Sequence, residues 1–279
     1  MILSYDNFKK LQELIYRRTG LFFEDKKLFF IKRRVELLMK EENIYDFDEY
    51  FRIIKFYDFD GQKFQKLINA ITTNETYFFR EFDQLKVFAE CCLPEILEKK
   101  SKINSNLLRI WSAACSSGEE VYTLAIIILE MIDDINKWKI ELIGTDIDKR
   151  VLKQAIEGKY NERSVKFIPP TYFDRYIYKS ADNKYCVSNV LKEFTYFEHL
   201  NFFDDEKMSQ MRNFDVIFCR NALIYFDEDS RRQVVNHFYN SLNPGGYIFL
   251  GHSESMSRIT NAFNYKKLYD QIVYYKPEK

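Results

Sequence analysis

The sequence contains little of the cysteine and histidine on which disulfide frameworks and metal sites depend. Five cysteines and three histidines occur among its 279 residues. The cysteines form no CxxC pair, have no histidine at ligand spacing and are odd in number, which disfavours a disulfide framework. We therefore expect reduced, mostly buried thiols and no structural metal.

Long apolar runs are also missing. The longest, such as residues 123–129, are far shorter than the roughly 20 residues needed to cross a bilayer. The opening residues MILSYD lack the basic start, apolar core and small-residue cleavage site of a signal peptide. We expect a cytoplasmic protein with no segment inserted in the membrane.

Neither sign of charge is in excess, because 42 lysines and arginines match 42 aspartates and glutamates. No overall field attracts the chain to nucleic acid, so we expect no nucleic-acid partner. The composition, 46% hydrophobic and 30% charged, is that of a globular protein long enough for two domains.

A helical pattern covers the first quarter of the chain. Apolar residues from Tyr5 to Ile15 recur at a spacing of three to four, and Ser4 is a suitable N-cap. A second helix over residues 25–41 has an apolar face made of Leu28, Ile31, Val35 and Leu38. Two more helical stretches end before Thr72. The pattern predicts an all-helical N-terminal domain, residues 1–73.

From residue 107 onwards, short apolar runs alternate with amphipathic helices. The runs that read as strands are residues 107–111, 140–145, 214–219 and 247–250, the last after a turn at 243–246. This alternation predicts an α/β domain, residues 74–279, with a doubly wound parallel sheet. Runs at 265–269 and 272–275 predict an antiparallel hairpin at its edge. Alternating segments at about 172–199 predict a small inserted antiparallel β-subdomain.

Ligands of such sheets bind at the carboxyl ends of the strands, where polar segments follow three of the predicted strands. These segments are WSAACSSGEE at 111–120, GTDID at 144–148 and FCRNALIYFD at 218–227, and TTNETYFFRE at 72–81 precedes the sheet domain. Each has a structural alternative: a tight turn, a helix cap, packing aromatics or an ordered linker. An acidic side chain after the second strand suits ribose hydroxyls, so we assign that role to Asp146 and the helix cap to Asp148.

Taken in this order, with GHSES at 251–255, the motifs resemble those of the CheR-type chemotaxis receptor methyltransferases over nearly the whole chain. The resemblance implies a class I methyltransferase-like sheet with the three additions predicted above. It also implies S-adenosylmethionine as cofactor, S-adenosylhomocysteine as product, and glutamate side chains of methyl-accepting chemotaxis receptors as methyl acceptors, for sensory adaptation.

The resemblance also implies the site residues. Those that match the family's cofactor contacts are Asn74, Thr76, Arg80, Glu120, Asp146, Asn201, Phe202, Asn221 and Ala222. Tyr225 matches the tyrosine near the methyl group. The chain departs from the family in having Val121 where proline is usual, and Cys115 in the small-residue run.

Methyl transfer to a carboxylate needs no general base, because a glutamate with a pKa of about 4.3 is already ionised at pH 7. We therefore expect catalysis by alignment, with Arg80 orienting the acceptor carboxylate and Tyr225 donating a hydrogen bond near the methyl group.

A basic stripe on the second predicted helix is a candidate for receptor docking. Lys26, Arg33 and Lys40 recur seven residues apart, with Lys27 and Arg34 beside them. We assign docking of the acidic receptor helices to Lys26, Arg33 and Arg34, which would recruit the enzyme to receptor arrays at the inner membrane face. The alternative is a solvated helix face.

Two other functions share the predicted fold. A nucleic-acid methyltransferase is disfavoured by the neutral charge and by the absence of an NPPY-type tetrapeptide. A non-catalytic adaptor is disfavoured by the retained charges of Arg80, Glu120 and Asp146.

Overall fold

The computed structural model describes residues 4–278, so the prediction about a signal peptide falls partly outside the described residues. The helices are α1 Tyr5–Thr19, α2 Leu28–Glu41, α3 Phe47–Arg52, α4 Gln62–Ile71, α5 Phe82–Val87, α6 Leu93–Lys102, α7 Glu119–Met131, α8 Lys149–Glu157, α9 Glu162–Val165, α10 Pro170–Tyr176, α11 Asn189–Lys192, α12 Asp205–Gln210 and α13 Glu228–Ser241. The strands are β1 Leu107–Ala113, β2 Lys139–Asp146, β3 Lys159–Tyr160, β4 Ile177–Lys179, β5 Tyr185–Val187, β6 Thr195–His199, β7 Phe214–Cys219, β8 Leu242–Leu250, β9 Asn264–Leu268 and β10 Gln271–Tyr275.

The N-terminal helices follow the predicted pattern, with two corrections to the second helix. Ser4 caps α1 by accepting a hydrogen bond from the Asn7 N–H at 3.1 Å, which confirms the predicted cap. The second helix begins at Leu28, because residues 25–27 form a separate 3-10 turn. Its buried residues are Ile31, Val35 and Met39, whereas Leu28 and Leu38 of the predicted apolar face are only partly buried.

Seven strands form the main sheet in the order β6-β2-β1-β7-β8-β10-β9. Strands β6, β2, β1, β7 and β8 are parallel, and β10 and β9 are antiparallel to their neighbours. The strand order reverses at β1, so the crevice at its carboxyl end is where a doubly wound sheet binds a ligand. This confirms the predicted fold class and the terminal hairpin.

Both faces of the sheet are covered. All six residues of β7 are buried, which explains its continuous apolar sequence. In β1, Ile110 faces a core shared with α7, whereas Trp111 faces a core that continues into the helical N-terminal region. The N-terminal helices therefore pack directly on one face of the sheet.

The predicted insertion at about 172–199 needs correction at both ends. The small sheet has the order β3-β5-β4 and therefore begins at Lys159. Thr195–His199, which was included in the insertion, instead pairs in parallel with β2 at the edge of the main sheet. An alternating apolar pattern predicts a strand but does not identify the strand with which it pairs.

The predicted turn at 243–246 lies inside β8. A register shift between Phe214 and Val216 accommodates these extra residues, and Gly245 adopts a φ of 75° there. Among residues 4–278, no helix is both long enough and apolar enough to cross a membrane.

Candidate active site

A cavity of about 240 Å³ opens at the carboxyl ends of β1, β2, β6 and β7. Ten residues predicted from the sequence line it together: Asn74, Thr76, Arg80, Glu120, Asp146, Asn201, Phe202, Asn221, Ala222 and Tyr225. They come from five separate segments of the chain. The predicted docking residues Lys26, Arg33 and Arg34 lie elsewhere, exposed on α2 and on the turn before it.

The loop after β1 is held in an unusual backbone conformation. Ala114, Ser116 and Gly118 have φ values of 61°, 51° and 89°. The left-handed region costs a residue other than glycine about 1–2 kcal/mol, so other contacts must maintain this loop. The Ser116 N–H donates to Asp146 at 2.8 Å, and the Cys115 N–H donates to the Thr145 carbonyl at 2.9 Å.

Asp146 ends β2 and is 5% exposed. Its carboxylate accepts the N–H groups of Ser116 and Asp148 at 2.8 and 2.9 Å. Burial raises the pKa of Asp146 to about 6, although the backbone hydrogen bonds act in the opposite direction. A carboxylate has about four acceptor positions, so Asp146 retains acceptor capacity for a ligand with hydroxyl donors.

Asp148 has a different role. Its side chain caps α8 by accepting the N–H groups of Arg150 and Val151, as predicted. It also accepts the Asn74 amide at 2.8 Å and the Thr72 hydroxyl at 3.2 Å. Asp148 therefore ties the segment before the sheet domain to the end of β2.

Glu120 and Arg220 form an ion pair at the cavity wall. The Arg220 Nε donates to Glu120 at 2.5 Å, and its Nη1 donates to the Arg80 carbonyl at 2.8 Å. The side chain of Arg220 is only 4% exposed. Glu120 also accepts the Ser112 hydroxyl at 2.7 Å. Arg220 was not among the predicted site residues, although its place directly after a buried strand was a usable signal.

Asn201 and Phe202 lie where β6 leaves the sheet. The Asn201 amide donates to the Arg18 carbonyl at 2.6 Å and accepts the Phe203 N–H at 3.0 Å. Asn201 thus joins α1 to the loop after β6 as well as lining the cavity. Phe202 is buried beside Trp111, with ring centroids 6.2 Å apart.

The N-terminal region contributes a wall that sequence reasoning missed. Leu21 and Phe23 line the cavity, and the Phe22 N–H donates to the Tyr225 carbonyl at 2.8 Å. Leu21 also forms an isolated β-bridge with Phe226. No local pattern signals this wall, because the pairing spans about 200 residues of sequence.

A carboxylate just outside the cavity was also missed. Glu254, in the GHSES segment, accepts backbone N–H groups of the loop that carries Asn221. Burial raises its pKa. Elsewhere in residues 4–278 no cluster of histidine, cysteine and carboxylate side chains has the arrangement of a metal site, and the five cysteines are free thiols.

A family model described as the SAM binding domain of CheR methyltransferase matches residues 74–272, and one described as its all-alpha domain matches residues 6–72. With the doubly wound sheet and the cavity at its strand ends, these matches define an S-adenosylmethionine-dependent methyltransferase. The chain belongs to the CheR methyltransferase family.

Three curated relatives share almost the whole chain. Chemotaxis protein methyltransferase 2 of Vibrio cholerae is 39% identical over 279 residues, covering 100% of this chain and 96% of that protein. The chemotaxis protein methyltransferase of Borreliella burgdorferi is 35% identical, covering 91% and 89%. That of Escherichia coli is 30% identical, covering 98% and 92%. All three are named as chemotaxis protein methyltransferases.

Proposed function

We propose that this enzyme methylates glutamate side-chain carboxylates of methyl-accepting chemotaxis receptors, producing glutamate methyl esters and S-adenosylhomocysteine for sensory adaptation. The reaction takes place in the cytoplasm, at receptor arrays on the inner face of the membrane. The observation that carries the proposal is the convergence of Asp146, Glu120, Arg80 and Tyr225 on one cavity.

The chemistry of the cavity suits the cofactor. Asp146 offers acceptors for ribose hydroxyls, while Phe202 and Ala222 offer apolar surface for a flat base. Glu120 and Arg220 have opposite charges, which suit the ammonium and carboxylate of an amino acid. When bound, the cofactor supplies a methyl group on a positively charged sulfur.

The acceptor chemistry follows from the groups beside the cavity. A glutamate acceptor is ionised at neutral pH, so its methylation requires no proton removal. Burial raises the pKa of the Cys115 thiol well above its usual range, so Cys115 remains protonated and does not act as a base. Arg80 orients the acceptor carboxylate and Tyr225 donates a hydrogen bond near the methyl group. Alignment of this kind can contribute roughly 7–11 kcal/mol when the geometry is right.

Receptor docking involves the exposed face of α2. Arg33 and Arg34 are exposed there, and Lys26 lies on the turn just before the helix. This turn comes shortly after Leu21 and Phe23, which line the cavity. The segment between α1 and α2 therefore connects the proposed docking face to the wall of the cavity.

The direct test is methyl transfer from radiolabelled S-adenosylmethionine to receptor-containing membranes. We expect label on the receptor that mild alkali releases as methanol, because a carboxylate ester is alkali-labile. Receptors with the acceptor glutamates replaced by alanine are the control. Alkali-stable label, or equal labelling of the control receptor, would contradict the proposal.

A further inference from the structure

The loops that follow β7 and β8 lie side by side at the edge of the cavity. Cys219 and Leu250, the last residues of these parallel strands, are paired in register. A Cβ atom on Gly251 would lie 2.8 Å from the Asn221 nitrogen. Only glycine permits this approach, which brings residues 251–255 against the loop that carries Asn221, Ala222 and Tyr225.

Glu254 joins the two loops through its carboxylate. One oxygen accepts the N–H groups of Gly251 and Asn221 at 2.8 and 2.9 Å, and the other accepts the Ile224 N–H at 3.2 Å. Hydrogen bonds from N–H groups to a carboxylate are stronger than those between neutral groups. Only the Gly251 bond is local; the other two cross 33 and 30 residues of sequence.

The loop held by Glu254 needs such support. Asn221 has a φ of 60°, in the left-handed region, and the loop is irregular up to the 3-10 turn at residues 223–225. Its N–H groups are not part of the sheet, so without acceptors they would be left unsatisfied where they are buried. Glu254 supplies those acceptors on both sides of Ala222, which is 5% exposed.

We propose that Glu254 is a positioning residue for methyl transfer: it sets the loop that carries Asn221, Ala222 and Tyr225, and it does so without itself lining the cavity. This inference rests on the proposed roles of those three residues in the site.

The variant Glu254→Gln tests the inference. Glutamine offers only one acceptor oxygen. Its amide NH₂ would face backbone N–H groups that donate to the carboxylate in the wild type, so two donors would be placed together. We expect faster hydrogen exchange at the Asn221 and Ile224 amides in the cofactor-free protein. We also expect S-adenosylhomocysteine to bind at least about tenfold more weakly in calorimetry. Glu254→Asp, which keeps the charge with a shorter reach, replaces it if the glutamine variant does not fold.

Asp215→Asn is the matched control. Asp215 is a buried carboxylate at the opposite end of β7, where it accepts the Arg109 N–H and pairs with Lys100. Its loss lowers stability without acting on the loop after β7. We therefore expect Asp215→Asn to bind S-adenosylhomocysteine like the wild type at temperatures where both proteins are folded.

Kinetics separate positioning from a general loss of stability. If Glu254 acts through the Tyr225 loop, Tyr225→Phe reduces kcat by a smaller factor in the Glu254→Gln background than in the wild type. Multiplicative effects on kcat would overturn the inference, as would unchanged exchange at Asn221 and Ile224.

Different results would disprove the proposed cofactor site and the positioning role of Glu254. Normal S-adenosylhomocysteine binding by both Asp146→Asn and Asn221→Ala overturns the site, and the positioning role with it. Weakened binding in those two variants but not in Glu254→Gln overturns the positioning role alone.

Discussion

At the scale of single residues, Asp146 is subject to two opposing effects. Burial disfavours its charged form and raises its pKa to about 6. Hydroxyl donors of a ligand favour the charged form and lower the pKa again. If Asp146 accepts ribose hydroxyls as proposed, its carboxyl group loses a proton more readily when the cofactor binds.

This linkage predicts the pH dependence of cofactor binding. Below pH 6 the unliganded Asp146 is protonated, so binding releases a proton and the affinity falls as the pH falls, by up to about tenfold per pH unit. Titration of the wild type with S-adenosylhomocysteine between pH 5 and pH 8 measures this slope. Asp146→Asn should bind more weakly and show little pH dependence over this range.

His199 is the control for that experiment, because it is paired with Asp146 across β2 and β6. Burial lowers the pKa of His199, so its contribution to the pH dependence has to be separated from that of Asp146. His199→Gln should retain the pH dependence. A slope that disappears in His199→Gln and persists in Asp146→Asn would assign it to the histidine.

Substitution of Arg80 or Tyr225 is expected to impair the methyl-transfer step. Tyr225→Phe removes only a hydroxyl, so we expect kcat to fall about 10- to 100-fold, or about 1.4–2.7 kcal/mol, with S-adenosylhomocysteine affinity unchanged. Arg80→Ala should raise KM for the receptor as well, because it removes a cation that orients the acceptor carboxylate.

Tyr265→Phe is a matched control, since the Tyr265 side chain belongs to a strand at the far edge of the sheet and is 68% exposed. Wild-type turnover in Tyr225→Phe would rule out the proposed hydrogen bond.

At the scale of secondary-structure elements, the connection between α1 and α2 forms part of the site. Gly20 ends α1 with a φ of 70°, and the Cβ of any other residue there would lie 1.9 Å from the Phe203 ring. Phe203 in turn stacks on Phe226, which is bridged to Leu21. The end of one helix, the loop after β6 and the loop after β7 therefore pack as one unit.

Alanine substitutions at Gly20 and Gly61 separate two effects on stability: the strain of a left-handed backbone and the clash of a new side chain with its neighbours. Gly61 has nearly the same φ, 68°, but no atom lies within 4 Å of its Cβ position. We expect Gly61→Ala to lower the free energy of unfolding by about 1–2 kcal/mol. Gly20→Ala should lower it by more, and should also weaken S-adenosylhomocysteine binding. Urea unfolding and calorimetry measure both effects, and equal losses in the two variants would contradict the packing argument.

The sequence predicts some secondary-structure elements better than others. The predicted bounds of β7 agree with the structure because a strand buried on both faces has an apolar sequence from end to end. The strand at 195–199 was assigned to the wrong sheet, because β6 lies at the edge of the main sheet and has the alternating pattern of a small hairpin. Periodicity describes the two faces of a strand but not its neighbour.

At the scale of the whole molecule, the balance of 42 basic and 42 acidic residues leaves recognition to local surfaces. The basic residues on and before α2 are the surface proposed above for receptor docking, and the proposed methyl acceptors are glutamates. Charge attraction between exposed surfaces acts mainly on association and weakens as salt is added.

Charge reversal tests this docking surface. Arg33→Glu with Arg34→Glu should slow receptor methylation about tenfold at low salt and less at 0.5 M salt, with S-adenosylhomocysteine affinity unchanged. Arg17→Glu with Arg232→Glu makes the same change in net charge at two exposed positions outside α2. If both double variants slow methylation equally, net charge rather than α2 is responsible.

The sequence by itself determined the fold class, the helical and sheet regions, and the polar residues that follow the strands. These follow from short-range patterns, because burial on one face or both is repeated within each element. It also separated Asp146 from the helix cap Asp148, since an N-cap is a local feature.

Only the tertiary structure decided how distant segments meet. The wall formed by Leu21 and Phe23, the Arg220–Glu120 pair and the hydrogen bonds from the Asn221 loop to Glu254 join residues far apart in sequence. No local pattern encodes such contacts, because each depends on the strand order and on the packing of the N-terminal helices that bring distant segments to the same edge of the sheet. The cavity is a product of both.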